Sequence, residues 1–140
     1  MKTTMLIAAG IILLSGALLH AQSVTGYRYA LVQFAIDSPE LTPMNERVIR
    51  DFIAPDIGKD ATVSVTGYTD VVGLETRNAD LSRQRAENVA KVIRKVVPKK
   101  RKIQVSVRGV GEDYPLYDNL LPEGRFFNRT VIVTIGDDPE

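Results

Sequence analysis

Cysteine and tryptophan are absent from this chain of 140 residues, and its only histidine is His20. The lack of cysteine excludes disulfides, thiolate metal ligands, cysteine nucleophiles and a lipid-bearing cysteine. The lack of any further histidine removes the usual zinc ligand, the usual general base and the Ser-His-Asp triad. We therefore predict no catalytic residues, no metal site, no cofactor and no enzymatic activity.

Excess charge of one sign is also lacking. The chain has 18 Lys and Arg residues against 17 Asp and Glu residues, so no global field favours nucleic acid as a partner. Apolar residues make up 44% and charged residues 25%, which is typical of a globular protein. The length fits one domain.

The N-terminal segment has the pattern of an export signal. Lys2 supplies one positive charge, and the apolar run over 5–19 is shorter than the roughly 20 residues that a membrane-spanning helix needs. A small residue, Ala21, stands at the expected cleavage position. We predict a signal peptide over 1–21 and a single domain over 22–140 with no transmembrane segment; the alternative is an uncleaved anchor.

The first half of the domain predicts a strand followed by a helix. The strand is expected over 27–36, with four apolar side chains alternating on one face: Ala30, Val32, Phe34 and Ile36. Thr42 and Pro43 form a helix start, with Thr as N-cap and Pro at the first helical position. Pro55 is expected to end this helix.

The second half predicts three more strands and a long helix. A strand over 61–67 and a loop over 69–78 are followed by a helix that is capped by Asn78 or Asp80 and ends near Pro98. A strand is then expected over 103–107 and a loop over 109–128, with one short helical turn near Glu123. The last strand is expected over 131–135. This β-α-β-α-β-β order indicates a helix-covered mixed sheet in an α/β or α+β domain.

Two charged residues interrupt otherwise ordinary patterns. Arg85 lies in an apolar row of the long helix, at i+4 spacing from Leu81 and Val89, so it must be paired or face a cleft. Asp70 follows the second strand at its carboxyl end. In folds of sheets and helices, ligands tend to bind outside the carboxyl ends of strands. Together they match a zwitterion, with a carboxylate for an ammonium and a guanidinium for a carboxylate. Alternatively, Arg85 snorkels or forms a buried ion pair, and Asp70 pairs with Arg85 or caps a turn.

Short motifs also recur in a fixed order along the chain. They are T-D-x-x-G at 69–73, Asn78, L-S-x-x-R-A-x-x-V at 81–89, G-x-G-E at 109–112, Pro115, Asn119, E-G-R at 123–125 and N-R at 128–129, with Phe34, Ser38 and Leu41 near the front. This set resembles the OmpA-like peptidoglycan-binding domain family over 27–135. The resemblance implies an OmpA-like sandwich in which helices pack on a mixed four-stranded sheet.

The resemblance also implies a function and a site. It implies noncovalent binding of peptidoglycan through the diaminopimelate of its stem peptide, by an exported periplasmic protein associated with the outer membrane or the cell wall, with envelope proteins as further partners. Asp70 would hold the ammonium of diaminopimelate and Arg85 its carboxylate. The other implied site residues are Leu81 as a ligand contact, Asp37 and Ser38 at the border of the groove, and Thr69, Asn78 and Arg129 as residues that shape it. Because neither Asp70 nor Arg85 is apolar, we expect their replacement to weaken binding without unfolding the domain.

The family pattern leaves some features open. Thr130 stands where the family has a second arginine, and a basic run over 98–102 replaces the glycine that follows the second helix. With Lys91, Arg94 and Lys95 this run is either a solvated helix end or a contact for anionic wall polymers or a membrane surface. Two rival functions are an envelope protein-interaction module with the same fold, and a wall hydrolase that uses Asp70 and another carboxylate, such as Glu75, as an acid/base pair.

Overall fold

A computed structural model describes residues 26–31 and 34–136 of the chain. The predicted signal peptide over 1–21, and with it the predicted domain start at residue 22, lies outside the described residues. No helix in the described ranges combines the length and the apolarity that a bilayer span requires.

The described elements form a mixed four-stranded sheet with helices. In chain order they are β1 (Tyr27–Leu31), α1 (Pro43–Val48), a π-helical turn (Ile49–Ile53), α2 (Ala54–Asp56), β2 (Thr62–Gly67), α3 (Glu75–Val96), a 3-10 turn (Lys99–Arg101), β3 (Gln104–Gly109), α4 (Pro122–Asn128) and β4 (Val131–Ile135). The strand order is β1-β4-β2-β3; β2 and β3 are parallel, and β4 is antiparallel to both of its neighbours. The predicted fold class is confirmed.

The hydrophobic core lies between α3, the π-helical turn and one face of the sheet. Successive side chains of a strand point to opposite faces, so Val63 and Val65 of β2 are buried while Ser64 and Thr66 face the other side. The helix side of the core is formed by residues at helical spacing: Ala86, Val89, Ala90 and Ile93.

Two glycines allow α3 to approach the ends of β2 and β3 closely. A Cβ atom at Gly67 would lie 1.9 Å from the backbone oxygen of Ser82, and one at Gly109 would lie 2.4 Å from the backbone nitrogen of Arg83. Backbone atoms therefore occupy the space that larger residues need. The first half of α3 is held against the carboxyl ends of the two parallel strands as a result.

The first strand is shorter than predicted, and the prediction of its buried face is wrong. Strand β1 ends at Leu31, which is buried and pairs with Val131, the first residue of β4. Ala30 lies on the other face, and Ile36 is 67% exposed, whereas Phe34 is buried as expected. Alternation fails here because the strand ladder stops before these residues; Val32 lies outside the described residues.

Helix boundaries depart from the predictions at three points. The Thr42 cap is confirmed, because its hydroxyl accepts a hydrogen bond from the backbone N–H of Asn45. The helical path nevertheless continues through Pro55, because this residue lies in the first turn of α2, where a missing N–H is tolerated. Helix α3 begins at Glu75, so the predicted caps Asn78 and Asp80 lie inside it. The loop predicted over 109–128 ends in helix α4, which is longer than the single turn expected there.

Candidate functional site

A groove of about 280 Å³ lies where the end of β2 meets the first turns of α3. We call it the strand-end groove; its lining residues are Ile36, Asp37, Thr69, Asp70, Val72, Gly73, Arg77, Asn78, Leu81, Arg85 and Arg129. The structure therefore brings together all the predicted site residues except Ser38. Three guanidinium groups face two carboxylates, so the lining carries a net positive charge.

Asp70 is a buried carboxylate whose two oxygens are both partly used. Its Oδ2 atom lies 2.8 Å from Nη1 of Arg129, and its Oδ1 atom accepts a hydrogen bond from the backbone N–H of Val72 at 3.0 Å. A carboxylate offers about four lone-pair sites, so each oxygen keeps acceptor capacity. The sequence left open a pair between Asp70 and Arg85, but the ion pair forms with Arg129.

Arg85 is 1% exposed and is held by backbone carbonyls instead of a carboxylate. Its Nε and Nη2 atoms donate to the carbonyls of Ser38 and Ala35, both at 2.9 Å, and Nη1 donates to the carbonyl of Tyr68 at 3.3 Å. Its guanidinium carbon also lies 5.2 Å from the ring centre of Phe34. A guanidinium has five N–H donors, so Nη1 and Nη2 each keep one N–H that no described residue takes.

Burial lowers the pKa of Arg85 to about 10, and the nearby positive charge of Arg129 also lowers this pKa. The negative charges of Asp70 and Asp37 oppose this shift. Since this pKa is well above neutral pH, Arg85 remains a cation under ordinary conditions. It is a fixed, desolvated positive charge at the base of the strand-end groove.

Arg77 is a groove residue that the sequence analysis missed. Its Nε atom lies 2.9 Å from Oδ1 of Asp37, and both side chains are substantially exposed. Asp37 itself adopts a left-handed conformation with a φ of 52°. Arg77 precedes Leu81 and Arg85 at i+4 spacing, so the helical row that singled out Arg85 also identifies it.

Asn78 and Thr69 shape the loop that carries Asp70. The Asn78 amide donates to the backbone carbonyl of Asp70 at 3.2 Å and to the carboxylate of Glu112. The backbone N–H of Thr69 donates to the carbonyl of Gly111 at 2.9 Å. The hydroxyl of Thr69 is buried and has no hydrogen-bond partner among the described residues. An unpaired buried hydroxyl in the lining of a groove is available to a ligand.

The remaining predicted residues have clear positions. Leu81 is buried in the groove lining. Ser38 lies outside the lining; its carbonyl holds Arg85, and its hydroxyl accepts a hydrogen bond from the backbone N–H of Glu40. Thr130 is buried, and its hydroxyl donates to the carbonyl of Leu31 at 2.8 Å. Thr130 therefore supports β1 through this hydrogen bond and is not one of the groove-lining residues.

The acid/base pair proposed for a hydrolase is not assembled. Glu75 is exposed and lines a separate small cavity with Thr76, Ala79 and Gly111. Asp70 lines the strand-end groove and is paired with Arg129. The two carboxylates therefore do not share a cavity.

One arginine of the basic run, Arg101, and one that precedes the run, Arg94, are used within the fold. Arg101 Nη1 donates to the carbonyls of Ala54 at 2.9 Å and Ile57 at 2.6 Å, and Arg94 donates to the carbonyl of Val105 at 3.3 Å. These bonds attach the 3-10 turn to α2 and the end of α3 to β3. The two interpretations of the remaining lysines, a solvated helix end or an anionic contact, stay predictions.

Comparison with known proteins identifies the family. The model of the OmpA family matches residues 33–129. The outer-membrane lipoprotein YfiB of Pseudomonas aeruginosa is 38% identical over 89 residues, which cover 64% of this chain and 50% of YfiB. The peptidoglycan-binding protein ArfA of Mycobacterium tuberculosis is 38% identical over 76 residues, which cover 54% of this chain and 23% of ArfA. The chain thus spans half or less of the length of these relatives.

Solved structures share the fold. The peptidoglycan-associated lipoprotein of Burkholderia pseudomallei superposes with a TM-score of 0.62 at 19% identity, covering 76% of this chain and 88% of that one. The C-terminal domain of Helicobacter pylori MotB superposes with a TM-score of 0.64 at 23% identity, covering 79% and 85%. The domains of this family are binding domains without enzymatic activity. The domain matched here is accordingly a binding domain and not an enzyme, and the chain belongs to the OmpA family.

Proposed function

We propose that this domain binds peptidoglycan noncovalently, and that the strand-end groove holds the diaminopimelate of the stem peptide. The observation that carries the proposal is the pair of Asp70 and Arg85. Both are buried at one groove, and each keeps hydrogen-bonding capacity of opposite type. ArfA is named as a peptidoglycan-binding protein and the Burkholderia relative as a peptidoglycan-associated lipoprotein, which supports the same ligand here.

The end of the diaminopimelate side chain is a zwitterion, and the groove offers a partner for each charge. The free lone pairs of Asp70 accept hydrogen bonds from the ammonium. The two remaining N–H groups of Arg85 form a fork that matches the two oxygens of a carboxylate. Because three backbone carbonyls already fix this guanidinium, little side-chain entropy is lost when the ligand binds.

Other groove residues have supporting roles in this proposal. Leu81 contacts the methylene groups of the ligand, and the unpaired hydroxyl of Thr69 bonds to one of its polar atoms. Arg129 orients the carboxylate of Asp70, and Asn78 holds the loop that carries it. Asp37, paired with Arg77, borders the groove, and the carbonyl of Ser38 fixes Arg85.

We also propose that the protein is exported to the periplasm through the signal peptide over 1–21 and associates there with the outer membrane or the wall. The description of YfiB as an outer-membrane lipoprotein supports this location. Mass spectrometry of the periplasmic fraction tests it, because the mature chain is expected to begin at or near Gln22.

Sedimentation with purified peptidoglycan sacculi tests the proposed function. The parent protein is expected to sediment with sacculi, and Asp70→Asn is expected to lower its affinity about 10- to 100-fold, because charge-assisted hydrogen bonds contribute about 1.5–3 kcal/mol. Asp80→Asn is the matched control, since Asp80 is 43% exposed on α3, does not line the strand-end groove and bonds to Arg83. Circular dichroism verifies that both variants are folded.

Two results contradict the proposal. One is a parent protein that does not sediment with sacculi, which favours the envelope protein-interaction module. The other is an Asp70→Asn variant that sediments as well as Asp80→Asn.

A further inference from the structure

The sheet has a second concave site on the face that is turned away from α3. Side chains of β2 and β4 that alternate with the buried valines, among them Thr66 and Thr134, point to this face. They form a cavity of about 390 Å³. We call it the open-face pocket, and its polar residues are Arg28, Thr66, Tyr68, Arg108, Tyr114 and Thr134.

Two arginines reach into the open-face pocket from opposite edges of the sheet. Arg28 lies on β1 opposite Thr134, and Arg108 lies on β3 opposite Thr66. With the strand order β1-β4-β2-β3, their backbones are three strand spacings apart across the sheet, or about 14 Å, and two residues apart along the strands. Both nevertheless line the same cavity.

Neither guanidinium is neutralised by a residue in the described ranges. Arg28 and Arg108 form no hydrogen bond or ion pair with any residue in the described ranges. The four strands contain no Asp or Glu, and no carboxylate of residues 26–31 or 34–136 lines the pocket. The strand-end groove differs, because its arginines face Asp37 and Asp70. Two like charges that share a cavity with no described counter-charge repel each other, and an anion between them offsets this repulsion.

The other polar groups of the pocket are hydroxyls, which can donate to the same anion. Thr66 and Thr134 lie on the two central strands, where Thr66 pairs with Arg108 and Thr134 pairs with Arg28. Tyr68 and Tyr114 also line the cavity, and Tyr114 is 66% exposed at its edge. The pocket therefore combines two cations with four hydroxyl donors around one space.

We propose that the open-face pocket binds the dianion of a small phosphomonoester. One guanidinium is enough for both oxygens of a carboxylate, whereas a phosphate group carries about 1.5–2 negative charges at pH 7 and three acceptor oxygens. A phosphate can thus engage both arginines and the hydroxyls together. The exposed ring of Tyr114 is placed to contact the organic part of the ligand. This site lies on the opposite face of the sheet from α3 and is independent of the proposed function.

Calorimetric titration of the purified protein with glycerol 3-phosphate at pH 7.5 and low salt tests the proposal. We expect one site, and acetate is expected to bind at least about tenfold more weakly. Arg28→Gln and Arg108→Gln are each expected to reduce phosphomonoester affinity about tenfold, and the double variant to abolish it. Both residues are exposed, so these variants are expected to fold.

Three control measurements distinguish binding in the open-face pocket from nonspecific charge attraction, from binding in the strand-end groove and from contact with a membrane. Arg47→Gln removes an exposed arginine of α1 that has no ion pair among the described residues, and it is expected to leave binding unchanged. Asp70→Asn is expected to weaken sedimentation with sacculi but to retain glycerol 3-phosphate binding. Vesicles that contain phosphatidylglycerol are expected not to bind.

Any of four results overturns the proposal. They are no binding of glycerol 3-phosphate to the parent protein, equal binding by the double variant, equal affinity for acetate, and binding of the vesicles without binding of glycerol 3-phosphate. The last result assigns the two arginines to a membrane surface.

Discussion

Gly67→Ala is expected to destabilise the domain by more than about 4 kcal/mol, at the upper end of single-substitution effects. The added Cβ atom would lie 1.9 Å from the backbone oxygen of Ser82, so β2 or α3 must move. Moving α3 also displaces Leu81 and Arg85, and peptidoglycan binding is expected to be lost with it. Urea unfolding measures the change in the free energy of unfolding.

Gly58→Ala is the matched control for this substitution. A Cβ atom at Gly58 meets no atom within 4 Å, and its φ is not in the left-handed region. Its effect is expected to be within about 0.5 kcal/mol. Equal urea midpoints for the two alanine variants would show that the close approach of α3 to β2 does not limit stability.

Arg85→Ala is expected to destabilise the domain by about 2–4 kcal/mol and to abolish detectable binding of peptidoglycan. Three backbone carbonyls, of Ala35, Ser38 and Tyr68, lose their donor, and a buried acceptor without a partner costs about 1–3 kcal/mol. This expected loss of stability differs from the prediction from sequence that replacing Arg85 leaves folding intact. That expectation treated the residue as outside the core because it is not apolar.

Urea unfolding of two further variants separates the loss of the carbonyl hydrogen bonds from the loss of an arginine or of its charge. Arg83→Ala, two positions away on the exposed face of α3, is expected to change stability by less than about 0.5 kcal/mol. Arg85→Lys keeps the charge but cannot reach three carbonyls in a planar fork, so it is expected to lose most of the same stability. A stability of Arg85→Ala equal to that of Arg83→Ala contradicts the role given to the three carbonyl bonds.

Local patterns were sufficient to predict the sheet, the long helix and most residues of the groove. Alternation identified β2, β3 and β4, because these strands bury one face against α3. Helical spacing identified Arg85 as an anomaly, and the end of the second strand identified Asp70. The family motifs added Leu81 and Arg129. These features depend on residues that are near one another in the chain.

The partners of these residues could not be predicted, because they are distant in sequence. Asp70 pairs with Arg129, 59 residues later, and Arg85 bonds to carbonyls 47 and 50 residues earlier. Such contacts exist only after the sheet has formed. Asn78 was misplaced for the same reason: its side chain holds the Asp70 loop and Glu112, so it does not cap α3.

The most direct test of the central claim is calorimetric titration of the protein with three stem peptides. One carries diaminopimelate, one carries diaminopimelate with its side-chain carboxylate amidated, and one carries lysine. We expect the amidated and lysine peptides to bind at least about tenfold more weakly, because Arg85 then faces a neutral amide or no partner in a desolvated groove. Equal affinity for all three peptides would contradict the assignment of Arg85 as the group that recognises the carboxylate of diaminopimelate.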